Sequence, residues 1–409
     1  MARSRLLFLF LLLCIAAVLA WWATHRTLPF LAPQLRLAPA AWSDLPGWKN
    51  SDPRAALSAF ARSCAAFSKK PDGATMGGAD YAGTVRDWRG LCAAVPSKVV
   101  SAAAARAFFE DQTVPVAISS GGDAEGIFTG YYEPQIHGSR TRHGAFRVPV
   151  YATPDNLVSV DAGQFADDLA GRHFTGCVAG HKLVKCPARS DIDAKGSPQS
   201  KILFYADDPI SVFFLQIQGS GRVHFDDGTM VRVNYDAQNG QPYTAVGKTL
   251  IQMGVPRDGM SMQVIRAWLK DHPQDAQRVM ETDKSFVFFR EAPIGDANEG
   301  ADGSEDVPLT PGASLAVDMK LHPLGVPMFV AATRPDANPA RPDHPFDTLM
   351  VAQDSGGAIK GAVRGDVFWG FGASEESIAG RMKSTGKLYV LLPKALAAKI
   401  GSGADYSAP

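Results

Sequence analysis

Apolar residues recur at helical spacing just after residue 50. The residues of this pattern are Leu57, Phe60, Cys64 and Phe67. Their spacing places them on one face of an α-helix, with Asp52 as its N-cap and Pro53 in its first turn. Two more helices are predicted at 84–94 and 98–110.

A different pattern begins after residue 125, where short runs rich in β-branched and aromatic residues are separated by turn residues. These runs are IFTGYYEP, FRVPVYAT, KILFYA, SVFFLQIQGSGRVHF and TMVRVNY. Runs of this kind are typical of strands in a barrel or a sandwich. The turn DDG at 226–228, flanked by RVHF and TMVRV, is the strongest hairpin signal in the chain.

Helical periodicity returns between 244 and 283, and a second β region follows it. TAVGKTLIQMG and SMQVIRAWLKDH have helical periodicity, and Ser261 stands in the cap position of the second. The later β-type runs are SFVFFRE, ASLAVDMK, GVPMFVAA, TLMVAQD, VFWGFG and KLYVLLP. The order helix, strand, helix, strand indicates that the first β region is an insertion. The acidic, Gly-rich loop at 295–308 is expected to be solvent-exposed.

The N-terminus carries the clearest targeting signal. MARSR supplies positive charge, and an uninterrupted apolar run from Leu6 to Trp22 follows it. Residues 1–22 are therefore predicted to be a signal peptide or a membrane anchor, and the sequence leaves both open. Cys14 resembles a lipoprotein acceptor, but the bulky Leu13 before it makes lipidation the weaker interpretation. The rest of the chain is expected to be exported, with 23–50 as a linker.

Four cysteines follow the N-terminal segment and would face an oxidising compartment after export. Local pairing closes the smallest loops, which predicts the disulfides Cys64–Cys92 and Cys177–Cys186, with buried free thiols as the alternative. The chain has no CxxC motif, and its nine histidines lack ligand-type spacing. No metal site is therefore expected.

The bulk composition is that of an ordinary globular protein. The 409 residues are enough for two or three domains, and 41 basic residues balance 41 acidic ones. Because the net charge is zero, long-range attraction to a polyanion is not expected, although local charged patches stay open, and no nucleic-acid partner is expected.

Three aspartates stand at the ends of strand-like runs in the last β region, namely Asp318, Asp354 and Asp366. A carboxylate among apolar residues is costly unless it is paired or chemically employed. Apolar walls also raise the pKa of a carboxyl group, which can then protonate the leaving oxygen of a glycosidic bond. A turn or an Asx cap is the structural alternative for each aspartate.

Two other segments contain the residue types of a sugar-binding wall. IFTGYYEP at 127–134 and FFLQIQGSGR at 213–222 combine aromatic residues with Gly, and the second adds two Gln. A sugar needs a flat apolar face and directional hydrogen bonds, which these side chains offer. The aromatic packing of a barrel core would produce the same pattern.

Taken together, these segments resemble the lytic murein transglycosylase A family over roughly residues 100–395. The motifs that carry the resemblance are FTGYYEP, FFLQIQGSG, VNYDAQNGQPYTAVGKTLI, SFVFFRE, ASLAVDMKLHPLGVPMFV and AQDSGGAIKGAVRGDVFWG, all in family order. The resemblance implies a mainly β fold with helices. It consists of a C-terminal double-psi β-barrel known for three aspartates and an inserted, β-barrel-like second domain, with a glycan-binding groove between them.

The resemblance and the order of elements together predict the domain bounds. The catalytic domain is expected at 51–132 and 244–395, with its barrel at about 305–395. The inserted β domain is expected at 133–243. Residues 396–409, rich in Gly, Ser and Ala, are expected to form a disordered tail.

Carried over residue by residue, the three aspartates of the family correspond to Asp318, Asp354 and Asp366. The resemblance makes Asp366 the proton donor and Asp354 the neighbour that tunes or positions it. Asp318 is placed with the substrate-binding residues. The other residues that resemble sugar contacts are Thr129, Gly130, Tyr131, Gln216, Gln218, Gly219 and Ser220.

The implied activity is that of a peptidoglycan lytic exotransglycosylase, a lyase of cell-wall turnover that needs no metal or cofactor. It cleaves the β-1,4 bond between N-acetylmuramic acid and N-acetylglucosamine, and the muramyl 6-hydroxyl replaces water as nucleophile, giving a 1,6-anhydro sugar. The expected partner is the glycan strand of peptidoglycan, bound by a monomer. The expected location is the periplasm, with attachment to the inner membrane through an uncleaved anchor or to the outer membrane through a lipid.

Two other functions fit parts of the sequence. DSGG at 354–357 resembles the Asp-Ser/Thr-Gly loop of aspartic peptidases, but RGDVFW offers no second loop of this type. A glycan-binding barrel without catalysis is the other alternative. Endolytic attack also stays open at this point.

Overall fold

The computed structural model describes residues 35–401 and 404–406. Its strands are β1 Leu35–Pro39, β2 Thr113–Ser120, β3 Gly126–Glu133, β4 Gln135–Ser139, β5 Val148–Tyr151, β6 Leu157–Asp161, β7 His173–Ala179, β8 Lys182–Val184, β9 Ile202–Ala206, β10 Ser220–Phe225, β11 Met230–Gln238, β12 Val287–Ala292, β13 Ser314–Val317, β14 Pro327–Arg334, β15 His344–Ser355, β16 Arg364–Phe371, β17 Lys383–Pro393 and β18 Ala404–Tyr406. Its helices are α1 Arg54–Ser68, α2 Val85–Ala93, α3 Ala102–Gln112, α4 Arg189–Lys195, α5 Pro209–Gln218, α6 Val246–Gln252, α7 Met262–Asp271, α8 Pro273–Met280, α9 Ala373–Ala379 and α10 Lys394–Ala397.

Six of these strands close into a barrel, in the order β14, β15, β13, β16, β3, β17 and back to β14. β13 runs parallel to β15, and β16 runs parallel to β3, whereas the other neighbouring pairs are antiparallel. Fully buried apolar side chains such as Met350, Val367 and Val390 fill the core. The mainly β fold with a closed barrel confirms the fold class predicted from the sequence.

The inserted unit extends from β4 to β12, which is further than the sequence predicts. Its main sheet has the order β12, β11, β10, β4, β9, β5, and a small sheet of β6, β7 and β8 accompanies it. The predicted end at residue 243 is wrong, because β12 pairs with β11 from Val287 opposite Gln238 to Ala292 opposite Arg232. Helices α6 to α8 also pack against α5 of this unit, around Phe214.

The helices α1 to α3 pack on the barrel near their predicted positions, but Pro53, not the predicted Asp52, is the N-cap of α1, and α3 begins at Ala102 instead of residue 98. Asp52 accepts a hydrogen bond from the backbone N–H of Arg54 at 3.2 Å, at the start of α1. One disulfide joins Cys64 of α1 to Cys92 of α2. The other joins Cys177 of β7 to Cys186.

Both ends of the described body belong to the fold, which corrects the predicted linker and tail. β1 lies inside the predicted linker, yet it pairs with β2, and Leu35 and Leu37 are fully buried. Trp48 is also buried, and its indole N–H donates to Glu110 at 2.7 Å. In the predicted tail, Leu396 is buried and β18 pairs with β1.

The segment FFLQIQGSGR was predicted to be a strand, but its first half is the helix α5. Asp208 caps this helix by accepting from the backbone N–H groups of Ile210 and Ser211, and Pro209 occupies the first helical position. Gly219 ends the helix with φ of +83°. Because α5 is apolar on nearly every side, its residues show no helical alternation of apolar and polar positions.

The predicted signal peptide or anchor, including Cys14, lies outside the described residues. Among the residues that the structure does describe, no helix has the length and hydropathy to span a membrane.

Candidate active site

A cleft of about 810 Å³ is lined by both the barrel and the inserted unit. Every residue that the sequence analysis assigns to the site lines this cleft. The barrel contributes Thr129, Gly130, Tyr131, Asp318, Asp354 and Asp366, and the inserted unit contributes Gln216, Gln218, Gly219 and Ser220. Within residues 35–401, no three His, Cys, Asp or Glu side chains come together in a form that could hold a metal ion.

The strand register brings the two aspartates of the AQDSGGAIKGAVRGDVFWG motif together. Ala316 on β13 lies opposite Asp354 on β15 and opposite Asp366 on β16. β13 therefore runs between the two carboxyl-bearing strands. On the side away from β13, β16 pairs in parallel with β3, and this pairing places Thr129 opposite Asp366.

The carboxyl group of Asp366 is hydrogen-bonded through one oxygen. The Thr129 hydroxyl donates to Oδ1 at 2.6 Å, and Arg364 donates to that hydroxyl at 2.7 Å. Arg364 thereby turns the hydroxyl proton toward the carboxyl group. Oδ2 has no hydrogen-bond partner within the described part of the chain, and Asp366 lines the cleft.

The surroundings of Asp366 favour its protonated form. Burial is the largest influence and raises the pKa of Asp366. The Arg364 charge and the Thr129 hydrogen bond oppose this rise without reversing it. The charge of Asp354 raises the pKa of Asp366 further, as the smallest of the four influences, so like-charge repulsion is secondary to burial.

Asp354, in contrast, is hydrogen-bonded through both oxygens. The Tyr131 hydroxyl donates to Oδ2 at 2.7 Å. Oδ1 accepts from the Ser304 N–H at 3.0 Å, the Ser304 hydroxyl at 2.9 Å and the Ser355 N–H at 2.9 Å. Burial raises the pKa of Asp354, and these hydrogen bonds oppose the rise. Four donors suit a carboxylate and leave little room for a carboxyl proton.

A buried polar layer supports Asp354 from behind. The fully buried Gln353 donates to the Ala59 carbonyl at 2.9 Å and to Ser63 at 3.0 Å, and accepts from Ser314 at 2.6 Å. Ser63 in turn donates to Glu305 at 2.6 Å. Burial raises the pKa of Glu305 to about 7. This layer fixes the end of β15 against α1.

Asp318 is buried at the end of β13 and holds a turn in place. It accepts from the Gly361 N–H at 2.9 Å and from the Lys320 N–H at 3.3 Å, and the Lys360 ammonium group lies 3.9 Å away. These contacts tie β13 to the turn between β15 and β16. Asp318 therefore shapes the cleft wall on which Asp354 and Asp366 stand.

Three of the predicted sugar contacts also have structural roles. A side chain at Gly130 would place its Cβ 2.5 Å from the indole nitrogen of Trp369, so only glycine fits. Gly219 supplies the positive φ that ends α5. Gln218 accepts from the backbone N–H of Tyr132 at 3.0 Å, which joins α5 to the barrel strand β3.

Among the cleft residues that the sequence did not predict are Arg364, Tyr243 and Ser304. Arg364 lies two positions before Asp366, and since alternate residues of a strand share a face, this spacing was an available signal. Tyr243 lines the cleft from the inserted unit, and burial with the charges of Asp283 and Asp366 raises its pKa to about 12. Ser304 carried no recognisable local signal.

The loop at 295–308 was expected to be solvent-exposed, and this expectation is wrong for four of its fourteen residues. Ala301, Glu305 and Val307 are buried, while the residues between them remain exposed or partly so. The loop folds over the end of β15, because the Ser304 N–H and hydroxyl bind Asp354. Because the loop is mostly acidic and Gly-rich, its composition does not indicate that buried and exposed residues alternate along it.

The fold and site define a barrel protein with an inserted β unit and two carboxyl groups of unlike environment in the cleft. Two family models match the chain: the MltA specific insert domain over residues 127–290 and the 3D domain over residues 313–392. The first ends close to β12, in agreement with the sheet pairing.

Known relatives cover most of the described body. Membrane-bound lytic murein transglycosylase A of Escherichia coli K12 is 32% identical over 279 residues, which is 68% of either chain. A solved membrane-bound lytic murein transglycosylase from Agrobacterium tumefaciens matches with a TM-score of 0.77 and 31% identity, over 89% of this chain and 99% of its own. E. coli MltA with bound chitohexaose matches with a TM-score of 0.60 and 25% identity, over 87% and 91%. The chain belongs to the lytic murein transglycosylase A family.

Proposed function

We propose that this protein is a lytic transglycosylase that cleaves the β-1,4 bond between N-acetylmuramic acid and N-acetylglucosamine and releases 1,6-anhydromuramyl products. The names of its relatives support this activity, and the chitohexaose bound to E. coli MltA supports a glycan strand in the cleft. The enzyme acts on peptidoglycan in the periplasm.

The observation that carries the proposal is the difference between the two carboxyl groups. Asp366 has one oxygen held by Thr129 and the other available to the cleft. Asp354 has both oxygens occupied by four donors. Asp366 is therefore the group that carries and exchanges a proton, and Asp354 is the fixed neighbour.

The reaction then needs only one acid. Protonated Asp366 gives its proton to the glycosidic oxygen as the bond from that oxygen to C1 of the muramyl residue breaks. The Asp366 carboxylate next takes the proton of the C6 hydroxyl, whose oxygen bonds to C1. No water is consumed, and Asp366 ends the cycle protonated. Because the nucleophile belongs to the substrate, its effective concentration is high.

The remaining cleft residues hold the glycan. Gln216 and Ser220 offer polar side chains from the inserted unit, and Tyr131 and Gly130 form the opposite wall. Thr129 acts by donating its hydrogen bond to Asp366. Asp318 acts by holding the turn between β15 and β16 in place. We further propose that the enzyme works as a monomer with exolytic attack, and that it is attached to the membrane if its N-terminal segment is retained as an anchor.

Digestion of purified peptidoglycan, followed by mass spectrometry of the soluble products, tests this function. The wild type is expected to release anhydromuropeptides, and Asp366→Asn is expected to lose activity by about 10²- to 10⁴-fold, because the amide keeps the shape and lacks the proton. Glycan binding should remain measurable in this variant.

Asp343→Asn is the matched control, because Asp343 is exposed and lies outside the cleft. This control should retain full activity. Products with ordinary reducing ends would indicate a lysozyme-like hydrolase, and glycan binding without any product would indicate a binding module. Undiminished activity of Asp366→Asn would move the acid role to another residue.

A further inference from the structure

A second cavity, of about 880 Å³, lies within the inserted unit. Its walls come from β5, α4, α5 and the helices α7 and α8. Arg189 and Gln216 line both this cavity and the catalytic cleft, so the two spaces share a wall. A volume of this size accommodates a ligand of several residues.

The rim of the second cavity is basic. Arg142, Arg147 and Lys270 line it and are exposed. Within the described part of the chain, none of the three has a carboxylate at ion-pair distance. Asp193 is the one acidic residue among those that line the cavity, and the cavity also includes the buried Arg189. This charge balance favours an anionic ligand that also carries one positive group.

The floor of the cavity is apolar. Ile210, Phe213, Leu269 and Phe286 are buried and line it. Such a floor accepts methyl groups and excludes water from polar contacts at the rim. A ligand that fits this cavity therefore has small side chains and a flexible backbone, and it carries charge along one edge.

The shared wall also contains a polar atom that lacks a partner. Gln216 is only 7% exposed, and its Oε1 has no hydrogen-bond partner among the described residues. A buried acceptor without a donor costs free energy, which a ligand N–H can recover. Because Gln216 lines both spaces, one ligand that occupies the cleft and extends into the cavity can supply that N–H.

We propose that this cavity binds the stem peptide of the muramyl residue whose glycan chain occupies the cleft. A stem peptide has alanine methyl groups, several free carboxylates, backbone N–H groups and one side-chain amino group. The methyl groups match the apolar floor, and the carboxylates match the basic rim. A backbone N–H matches Gln216, and the amino group matches Asp193. The inference rests on the proposed function, since it requires peptidoglycan in the cleft.

The double variant Arg142→Glu/Lys270→Glu tests the inference. We would measure kcat/KM on glycan strands that carry stem peptides and on the same strands stripped of peptides by an amidase. The ratio of the two values is expected to fall about tenfold relative to the wild type, through KM, because two cations at the rim become anions. Lys182→Glu/Lys185→Glu is the control, since both lysines are exposed outside the cavity and the change in net charge is the same.

Direct binding gives a second readout that does not depend on turnover. A synthetic stem tetrapeptide, titrated calorimetrically, is expected to bind the wild type and the control, and to bind the rim variant at least tenfold more weakly. An unchanged ratio of kcat/KM values, or equal binding by all three proteins, would overturn the inference. If the wild type forms no anhydro product from either substrate, the proposed function fails and the binding titration still tests the cavity.

Discussion

Asp354 and Asp366 differ in how many of their carboxyl oxygens are already hydrogen-bonded, and this difference separates their roles. Asp366 keeps one oxygen available, whereas Asp354 accepts four hydrogen bonds. The sequence predicted that the two residues act together, and the resemblance assigned the acid. The donors that fix Asp354 include Ser304, from a distant loop, and no local pattern could have indicated them.

The pH dependence of kcat/KM follows from the raised pKa of Asp366. The acid must be protonated in the free enzyme, so activity is full below this pKa and falls tenfold per pH unit above it. Thr129→Val removes the hydrogen bond that stabilises the carboxylate. The pKa should rise further, and the falling limb should move to higher pH by about one unit.

A pH profile of kcat/KM for wild type and Thr129→Val checks this prediction. Thr333→Val, at an exposed position of β14, is the control and should leave the limb in place. A limb that stays fixed in Thr129→Val, or moves to lower pH, would show that another group sets the profile.

Glu305 gives a prediction for stability. Its pKa rises from an ordinary value of 4.5 to about 7 in the folded protein. A raised pKa means that the folded state is favoured by protonation. Below pH 4.5, Glu305 is protonated in both the folded and the unfolded state, and its ionisation does not change the free energy of unfolding. Above pH 7, its ionisation lowers the free energy of unfolding by about 3 kcal/mol. Glu305→Gln should therefore be more stable than the wild type at pH 8 and not at pH 4.

Denaturant unfolding at both pH values measures this difference. Glu125→Gln changes an exposed carboxylate and should have no such effect. A Glu305→Gln variant that is equally stabilised at pH 4 and pH 8, or is destabilised at pH 8, would contradict the assignment of Glu305 as an ionisable buried group.

At the scale of elements, the hydrophobic pattern predicted helices that have one apolar face and failed for a helix that is buried nearly all round. The helices that have alternating faces, and the hairpin at DDG 226–228, could be predicted from the sequence. Helix α5 could not be predicted from its apolar pattern, because it is buried nearly all round, although Asp208 and Pro209 marked its start. β1 was missed because only two buried leucines, Leu35 and Leu37, define it.

The cap of α5 should matter for stability and for the cleft, because this helix carries Gln216 and Gln218. Asp208 accepts from the Ile210 N–H at 3.0 Å and from the Ser211 N–H at 3.2 Å. Asp208→Ala is expected to lower the free energy of unfolding by about 1 to 2 kcal/mol. Thermal unfolding compared with Asp258→Ala, an exposed loop control, measures this. Equal stability of the two variants would argue against the cap.

At the scale of the whole molecule, pairing between distant strands decides where the inserted unit ends. No local pattern tells that β12 joins β11, which is why the sequence placed the boundary near residue 243. At the junction itself, the buried Glu133 lies 3.0 Å from Arg222 and 2.7 Å from Arg232. Arg222 also stacks 3.3 Å over the ring of Phe371. These contacts hold the inserted unit to the barrel on either side of the cleft.

The most direct test of the proposed reaction is digestion of peptidoglycan in water enriched in oxygen-18. An intramolecular attack by the muramyl 6-hydroxyl consumes no water, so the new chain ends should be anhydro sugars without the heavy isotope. Mass spectrometry of the products reads this out. Incorporation of one oxygen-18 atom at each new reducing end, in place of anhydro products, would contradict the account.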